Sequence, residues 1–314
     1  MKKNKNNTPE IKNQLIVGLI VGVLLSCDTV CYSIQTSGVE GLSDTSRIEQ
    51  SRSQNNMVLV TNNTPLNAKI EGWKLIWSDE FDANGAVDSA KWNYRIWKPG
   101  RVNEELQAYT NRIENSEVKN GCLTITALND SSGGSHYTSA RLVTDGKFEF
   151  TYGKVEARAM IPGGNGSWPA IWMLGSNIDK VGWPDCGEID IMEYVGFNPN
   201  FIHGTAHAKN YYWKIDKQQT KFIPVSGVET EYHRYGIEWY EDRIDFLFDG
   251  EVYFTAVPKG GDKNDLDAWP FSLPHFLILN VAVGGGWGGQ KGIDESAFPM
   301  EMKVDYVRVY QKGQ

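Results

Sequence analysis

Three carboxylates fall within six residues in the segment Gly187-Glu188-Ile189-Asp190-Ile191-Met192-Glu193-Tyr194. Acidic and apolar side chains alternate there, the pattern of a strand with one polar face. Glu188 and Asp190 are two apart and share that face. Glu193 is five from Glu188, so a regular strand would turn it the other way. One β-bulge absorbs a single extra residue and restores it, so a bulge is predicted near Ile191 or Met192. A helix, at about 100° per residue, would put Glu188 and Asp190 on nearly opposite sides.

Three acids on one face cannot all ionise freely, so at least one proton is held toward neutral pH. Such a group can protonate a departing glycosidic oxygen while an ionised neighbour attacks carbon. With the bulge counted as one step, the two Glu positions are four steps apart, about 13 Å at ~3.3 Å each, which side chains leaning together can largely close. A carboxyl gap of about 5–5.5 Å belongs to a retaining glycosidase and roughly 6.5–9.5 Å to an inverting one. The alternatives are a solvated strand face balanced by Lys or Arg, and a hard-metal site, since carboxylates suit Ca²⁺.

The elements that would position these acids are strands. Ile244, Phe246 and Phe248 alternate with Asp245, Leu247 and Asp249; Asp249-Gly250 marks a tight turn, and Val252 and Phe254 resume on the far side, together a hairpin signal. Further strand runs are read at Lys147–Phe150, Lys154–Met160, Phe276–Val283 and Met302–Tyr310, with a short one possible at Val58-Leu59-Val60. Long amphipathic helices and internal repeats are missing from the pattern. Short strands between Gly, Pro and Asn turns predict an all-β, two-sheet antiparallel sandwich.

Ahead of the sandwich lies a targeting pattern. Lys2, Lys3, Lys5 and Lys12 precede the apolar run Leu15 to Leu25, which ends in Leu24-Leu25-Ser26-Cys27. The run is shorter than the roughly 20 residues of a membrane span and fits an export signal. Cys27 sits where a bacterial lipoprotein signal carries its lipidated residue; the alternative is an ordinary secretory signal with an incidental Cys. Residues 1–26 are therefore read as signal, the Ser/Thr/Asn-rich residues 27–70 as a flexible spacer, and 71–314 as one catalytic domain. Of the other cysteines, Cys122 and Cys186 are expected as small buried side chains rather than nucleophiles or zinc ligands. The net charge of −8 argues against nucleic acid or an anionic membrane surface as partner and suits a neutral substrate.

With these segments on the page, the chain resembles glycoside hydrolase family 16, in its laminarinase-like branch. The resemblance runs through Trp77-Ser78-Asp79-Glu80-Phe81, Glu105-Leu106-Gln107, Ser139-Ala140-Arg141-Leu142, Gly153-Lys154-Val155-Glu156-Ala157-Arg158, Trp168-Pro169-Ala170-Ile171-Trp172-Met173, the carboxylate segment, His203-Gly204-Thr205-Ala206-His207, Leu279-Asn280-Val281-Ala282-Val283-Gly284-Gly285 and Val304-Asp305-Tyr306-Val307-Arg308-Val309-Tyr310. Within the carboxylate segment, Met192 resembles the extra residue of the bulged laminarinase form. The resemblance implies a β-jelly-roll sandwich of the concanavalin-like kind, with an open sugar cleft on its concave sheet. It implies a retaining endo-β-1,3-glucanase with Glu188 as nucleophile, Glu193 as acid/base and Asp190 as the assisting carboxylate between them.

The same resemblance implies cleft roles for Trp168 and Trp172, which could stack on glucose rings, and for His207 near the reacting sugar. Arg141 would bind sugar hydroxyls or pair with a carboxylate, and Trp287 in its glycine-rich loop would press on the substrate. Asn103 and Gln107 would contact the non-reducing side, although Asn103-Glu104-Glu105 departs from the commoner Asn-Asn-Glu. No cofactor is implied for catalysis; a structural Ca²⁺ at Glu80, Gly121 and Asp305, partly through main-chain carbonyls, is. The expected partner is β-glucan, met by a monomer that touches a membrane only through lipidated Cys27. A mixed-linkage β-1,3-1,4-glucanase is the alternative, with Tyr211-Tyr212-Trp213 and the stretch to Phe222 as a candidate specificity loop. A non-catalytic surface glycan-binding protein is the alternative of another class.

Overall fold

The computed structural model describes residues 72–132 and 134–313. The signal, the spacer, Cys27 and the Val58–Val60 run lie outside the described residues. Strands dominate, and the α-helices among the described residues are two four-residue turns, Ile178–Val181 and Gly285–Gly288.

Two sheets form. The larger has ten strands, and its main path runs Glu251–Ala256, Ile244–Phe248, His233–Trp239, Gly153–Met160, Met300–Lys312, Leu123–Asn129, Tyr137–Ser139, Gln107–Tyr109. The smaller has seven, in the order Gln219–Pro224, Phe201–His207, Glu188–Glu193, Ser167–Gly175, His275–Val283, Arg141–Val143, Asn93–Tyr94. Pairing is antiparallel except between Gln107–Tyr109 and Tyr137–Ser139, which run parallel. The architecture is a β-jelly-roll sandwich.

Alternation explains the layering. Ile189, Ile171, Met173, Leu277, Leu279 and Val281 from the seven-stranded sheet join Val155, Ala157, Ile237, Phe246, Val307 and Val309 from the other in one buried cluster. The intervening residues of the smaller sheet are left on its outer face, and that face carries the carboxylates. Trp92, Trp239 and Trp269 are core indoles, each donating its N–H to a carboxylate or carbonyl, as a buried polar group requires.

The predicted hairpin is present, and both turn residues, Asp249 and Gly250, have positive φ (50° and 93°), the conformation that a two-residue turn between twisted strands favours. One strand expectation is corrected. Lys147–Phe150 is the end of a turn followed by irregular chain, with a single backbone bridge to a strand, from Phe150 to His275. The Thr144 hydroxyl donates to the Phe148 carbonyl while the Phe148 amide donates to the Thr144 carbonyl, a local closure that competes with strand pairing. Cys186 is buried as expected, but Cys122 is only partly so and meets the Tyr232 hydroxyl at 3.4 Å. Burial raises both thiols, Cys186 to about 12, which leaves neither suited to nucleophilic work.

Candidate active site

The carboxylate strand is bulged where the spacing requires it. Against Ser167–Gly175, Asp190 faces Trp172 and Glu193 faces Ala170; against Phe201–His207, Asp190 faces Thr205 and Glu193 faces His203. Three residue steps on this strand therefore match two on each neighbour. Ile191 and Met192 both turn into the core, and that double inward turn brings Glu193 back to the face of Glu188 and Asp190.

Each outer acid is held by an indole. Trp168 Nε1 donates to Glu193 Oε1 at 3.1 Å, and Trp183 Nε1 donates to Glu188 Oε2 at 3.1 Å. His207, the cross-strand partner of Glu188, places Nε2 3.4 Å from Asp190 Oδ2 and 3.7 Å from Glu188 Oε1. Asp190 is 3% exposed. Burial raises the pKa of all three acids: Glu188 well above the ordinary range, with the Asp190 charge adding to the effect; Asp190 likewise; and Glu193 to about 8, again with Asp190 adding. Burial and mutual repulsion thus favour keeping at least one proton on the group near neutral pH, shared among the coupled acids.

The other expected site residues fall into two sets. Trp168, Trp172, His207 and Trp287 border the carboxylates. Trp172 Nε1 donates to Asn280 Oδ1 at 2.7 Å, and the Arg141 guanidinium lies between the Trp97 and Trp172 rings, 4.4 and 4.5 Å from their centroids. Arg141 is thus buried in a cation–π sandwich rather than paired directly with one of the three acids. Trp287 stands edge-on to both Trp168 and His203. Its loop needs glycine: Gly285 has φ +74°, and a Cβ there would come within 2.7 Å of the Asn103 carbonyl, the same carbonyl that accepts from the Gly286 amide.

Gln107 is 2% exposed; its amide nitrogen donates to Glu105 and its oxygen accepts from the Val283 amide, so each end already has a partner inside the protein. It belongs to a buried chain, Gln107 and Tyr109 on Glu105, Asn280 on Tyr109, Trp172 on Asn280, that fixes the Trp172 ring from beneath. Asn103, by contrast, is exposed beside this chain, with its amide 3.3 Å from Glu105.

The expected calcium ligands are also partly spent. The Glu80 carboxylate takes a bidentate pair of bonds from Arg308, at 3.0 and 2.8 Å, and Asp305 Oδ2 takes one from Arg158 at 2.8 Å. Two site residues escaped the sequence reading, Trp183 and Glu105. Trp183 lies in an irregular loop between Gly182 and Pro184, where no periodicity reports which side chain points at Glu188. Its proximity in sequence to the carboxylates was the available signal.

A family model described as "Glycosyl hydrolases family 16" matches residues 103–308. The chain belongs to glycosyl hydrolase family 16. The hydrolase is 48% identical over 248 residues to a beta-glucanase of Rhodothermus marinus, covering 77% of this chain and 87% of that protein. The crystal structure of the Rhodothermus marinus laminarinase superposes with a TM-score of 0.75 at 48% identity, over 77% of this chain and 98% of that one. SCLam, a non-specific endo-β-1,3(4)-glucanase, superposes with a TM-score of 0.73 at 44% identity, over 77% and 92%.

The indole on Glu193 gives a direct test of the hydrolase's proton control. A hydrogen bond to the charged carboxylate favours ionisation, so Trp168→Phe is expected to raise the Glu193 pKa further. The alkaline limb of the kcat/KM profile moves to higher pH, and kcat falls by about tenfold. An unmoved alkaline limb in the pH profile would show that this bond does not set the proton affinity of Glu193.

Proposed function

We propose that this hydrolase is a retaining endo-β-1,3-glucanase that acts as a monomer on β-glucan chains, with Glu188 as nucleophile and Glu193 as general acid/base. The observation that carries the reading is the bulge, which puts Glu188, Asp190 and Glu193 on one face with an indole fixing each outer acid. Protonated Glu193 gives its proton to the leaving glycosidic oxygen while the Glu188 carboxylate bonds to the anomeric carbon. Water, deprotonated by the now ionised Glu193, then releases the sugar and restores Glu188. Asp190 and His207 position Glu188 and tune both titrations.

Incubating the enzyme with laminarin, barley mixed-linkage glucan and agarose, with Glu188→Ala as control, tests this. Oligosaccharides from laminarin, lost in the variant, support the reading; binding without products from any of the three sinks it in favour of a glycan-binding protein. A mixed-linkage β-1,3-1,4-glucanase is the second reading, favoured by the 44% identity to a non-specific endo-β-1,3(4)-glucanase; cleavage of barley glucan alone would move the assignment there.

The proposal extends to two accessory features. Calcium at Glu80, Gly121 and Asp305 would draw on main-chain carbonyls and the second Asp305 oxygen, a hard-oxygen set that Ca²⁺ accepts. Adding Ca²⁺ to chelator-treated protein is then expected to raise Tm, and an unchanged Tm removes the site. Residues 1–26 act as export signal, and Cys27 anchors the chain to the cell envelope through a lipid and the 27–70 spacer. Cys27→Ser should move the enzyme from the membrane fraction to the soluble fraction, and an unchanged distribution rejects the anchor.

A further inference from the structure

Beyond the carboxylates, the outer face of the seven-stranded sheet continues to its edge strand, Gln219–Pro224. There Phe222 pairs with His203, which pairs with Glu193, so the three stand in one cross-strand row on the same face. At ~4.8 Å per strand, the Phe222 backbone is about 10 Å from that of Glu193. Phe222 is 55% exposed. Its ring meets Phe201 edge-on at 5.8 Å and tilts on His203 at 5.5 Å; His203 in turn meets Trp287 at 4.9 Å, Trp287 meets Trp168 at 5.5 Å, and Trp168 donates to Glu193. An unbroken row of rings thus leads from an exposed aromatic to the proton donor. Burial keeps the His203 imidazole neutral, its pKa pushed down to about 4, so the row carries no charge where it backs Phe222.

We propose that Phe222, backed by Phe201 and His203, is a sugar-stacking subsite for a glucosyl unit on the leaving-group side of the cleft. The inference rests on the glucanase reading, in which the Asn103 side of the cleft takes the non-reducing part of the chain and the opposite edge takes the departing part. An exposed Phe on an edge strand is otherwise a liability. A flat apolar ring is a suitable partner for the C–H face of a pyranose, and a neutral ligand suits its uncharged backing. The segment that the sequence marked as a specificity loop supplies this ring, and Trp213, 50% exposed, lies on the same segment.

The experiment compares two substrates in wild type, Phe222→Ala and Phe222→Tyr. One is laminarihexaose, long enough to reach the edge strand. The other is a nitrophenyl laminarioligosaccharide with only the nitrophenol on the leaving side. Phe222→Ala is expected to lower the ratio of kcat/KM for the long substrate to that for the short one by about fivefold, chiefly through KM, and Phe222→Tyr to restore it. The ring is exposed, so melting temperatures confirm that the variants are folded. A ratio unchanged in Phe222→Ala, with an active wild type, overturns the subsite alone. A wild type inactive on both substrates overturns the glucanase reading and the subsite with it.

Discussion

Glu188→Ala is expected to lower glucan hydrolysis by about 10⁴-fold or more, the scale on which loss of a covalent nucleophile is felt, and to be rescued by azide with a changed product. The variant keeps Glu193 and the Trp168 bond that holds it, so leaving-group protonation survives. Azide entering the space vacated below the sugar bonds to the anomeric carbon as the β-linked leaving group departs, and the product is an α-glycosyl azide. Glu193→Ala rescued in the same way would give the β-azide, because azide then attacks the glycosyl–Glu188 intermediate from the opposite face. The configuration of the two azides, read by proton NMR, assigns the roles; a β-azide from Glu188→Ala would exchange them.

The second large effect is a trade between activity and stability at Glu193. Removing general acid/base catalysis in Glu193→Gln should cost about 10²–10⁴-fold in kcat. The same change should stabilise the fold. Burial and Asp190 raise the Glu193 pKa from the ordinary 4.5 to about 8, so between those pH values the folded chain holds a proton that the unfolded chain has released. Stability of the native protein therefore falls as pH rises through that window, and glutamine, which does not titrate, escapes the loss. The Tm gain of Glu193→Gln over wild type is expected to be small at pH 5 and about 5 °C at pH 8. Thermal melts across the window check this, and a gain that is equal at both ends, or larger at pH 5, contradicts a raised Glu193 pKa. The active site on this reading stores instability in protons kept on buried acids, as catalytic carboxylates commonly do.

Local pattern determined much of this protein. Period-two alternation placed the strands and the hairpin, because a side chain's face in a strand depends only on its count along the chain. The spacing from Glu188 to Glu193 required a bulge for the same reason, and the bulge lies between Asp190 and Glu193. Where alternation stopped, so did legibility. At Lys147–Phe150 the apolar and charged residues alternate, yet Thr144 closes a turn there, and only the fold decides between local and sheet hydrogen bonds. Gln107 is a polar residue in a motif, and type alone did not reveal that Glu105 and Val283 already partner its amide. Trp183 and Glu188 meet across an irregular loop, and Phe222, His203 and Glu193 align only through strand register. The sequence by itself thus determined which residues could do chemistry and which faces they share. Tertiary structure decided which side chains of distant segments meet, because cross-strand register and loop closure depend on the packing of the whole sandwich rather than on any local run.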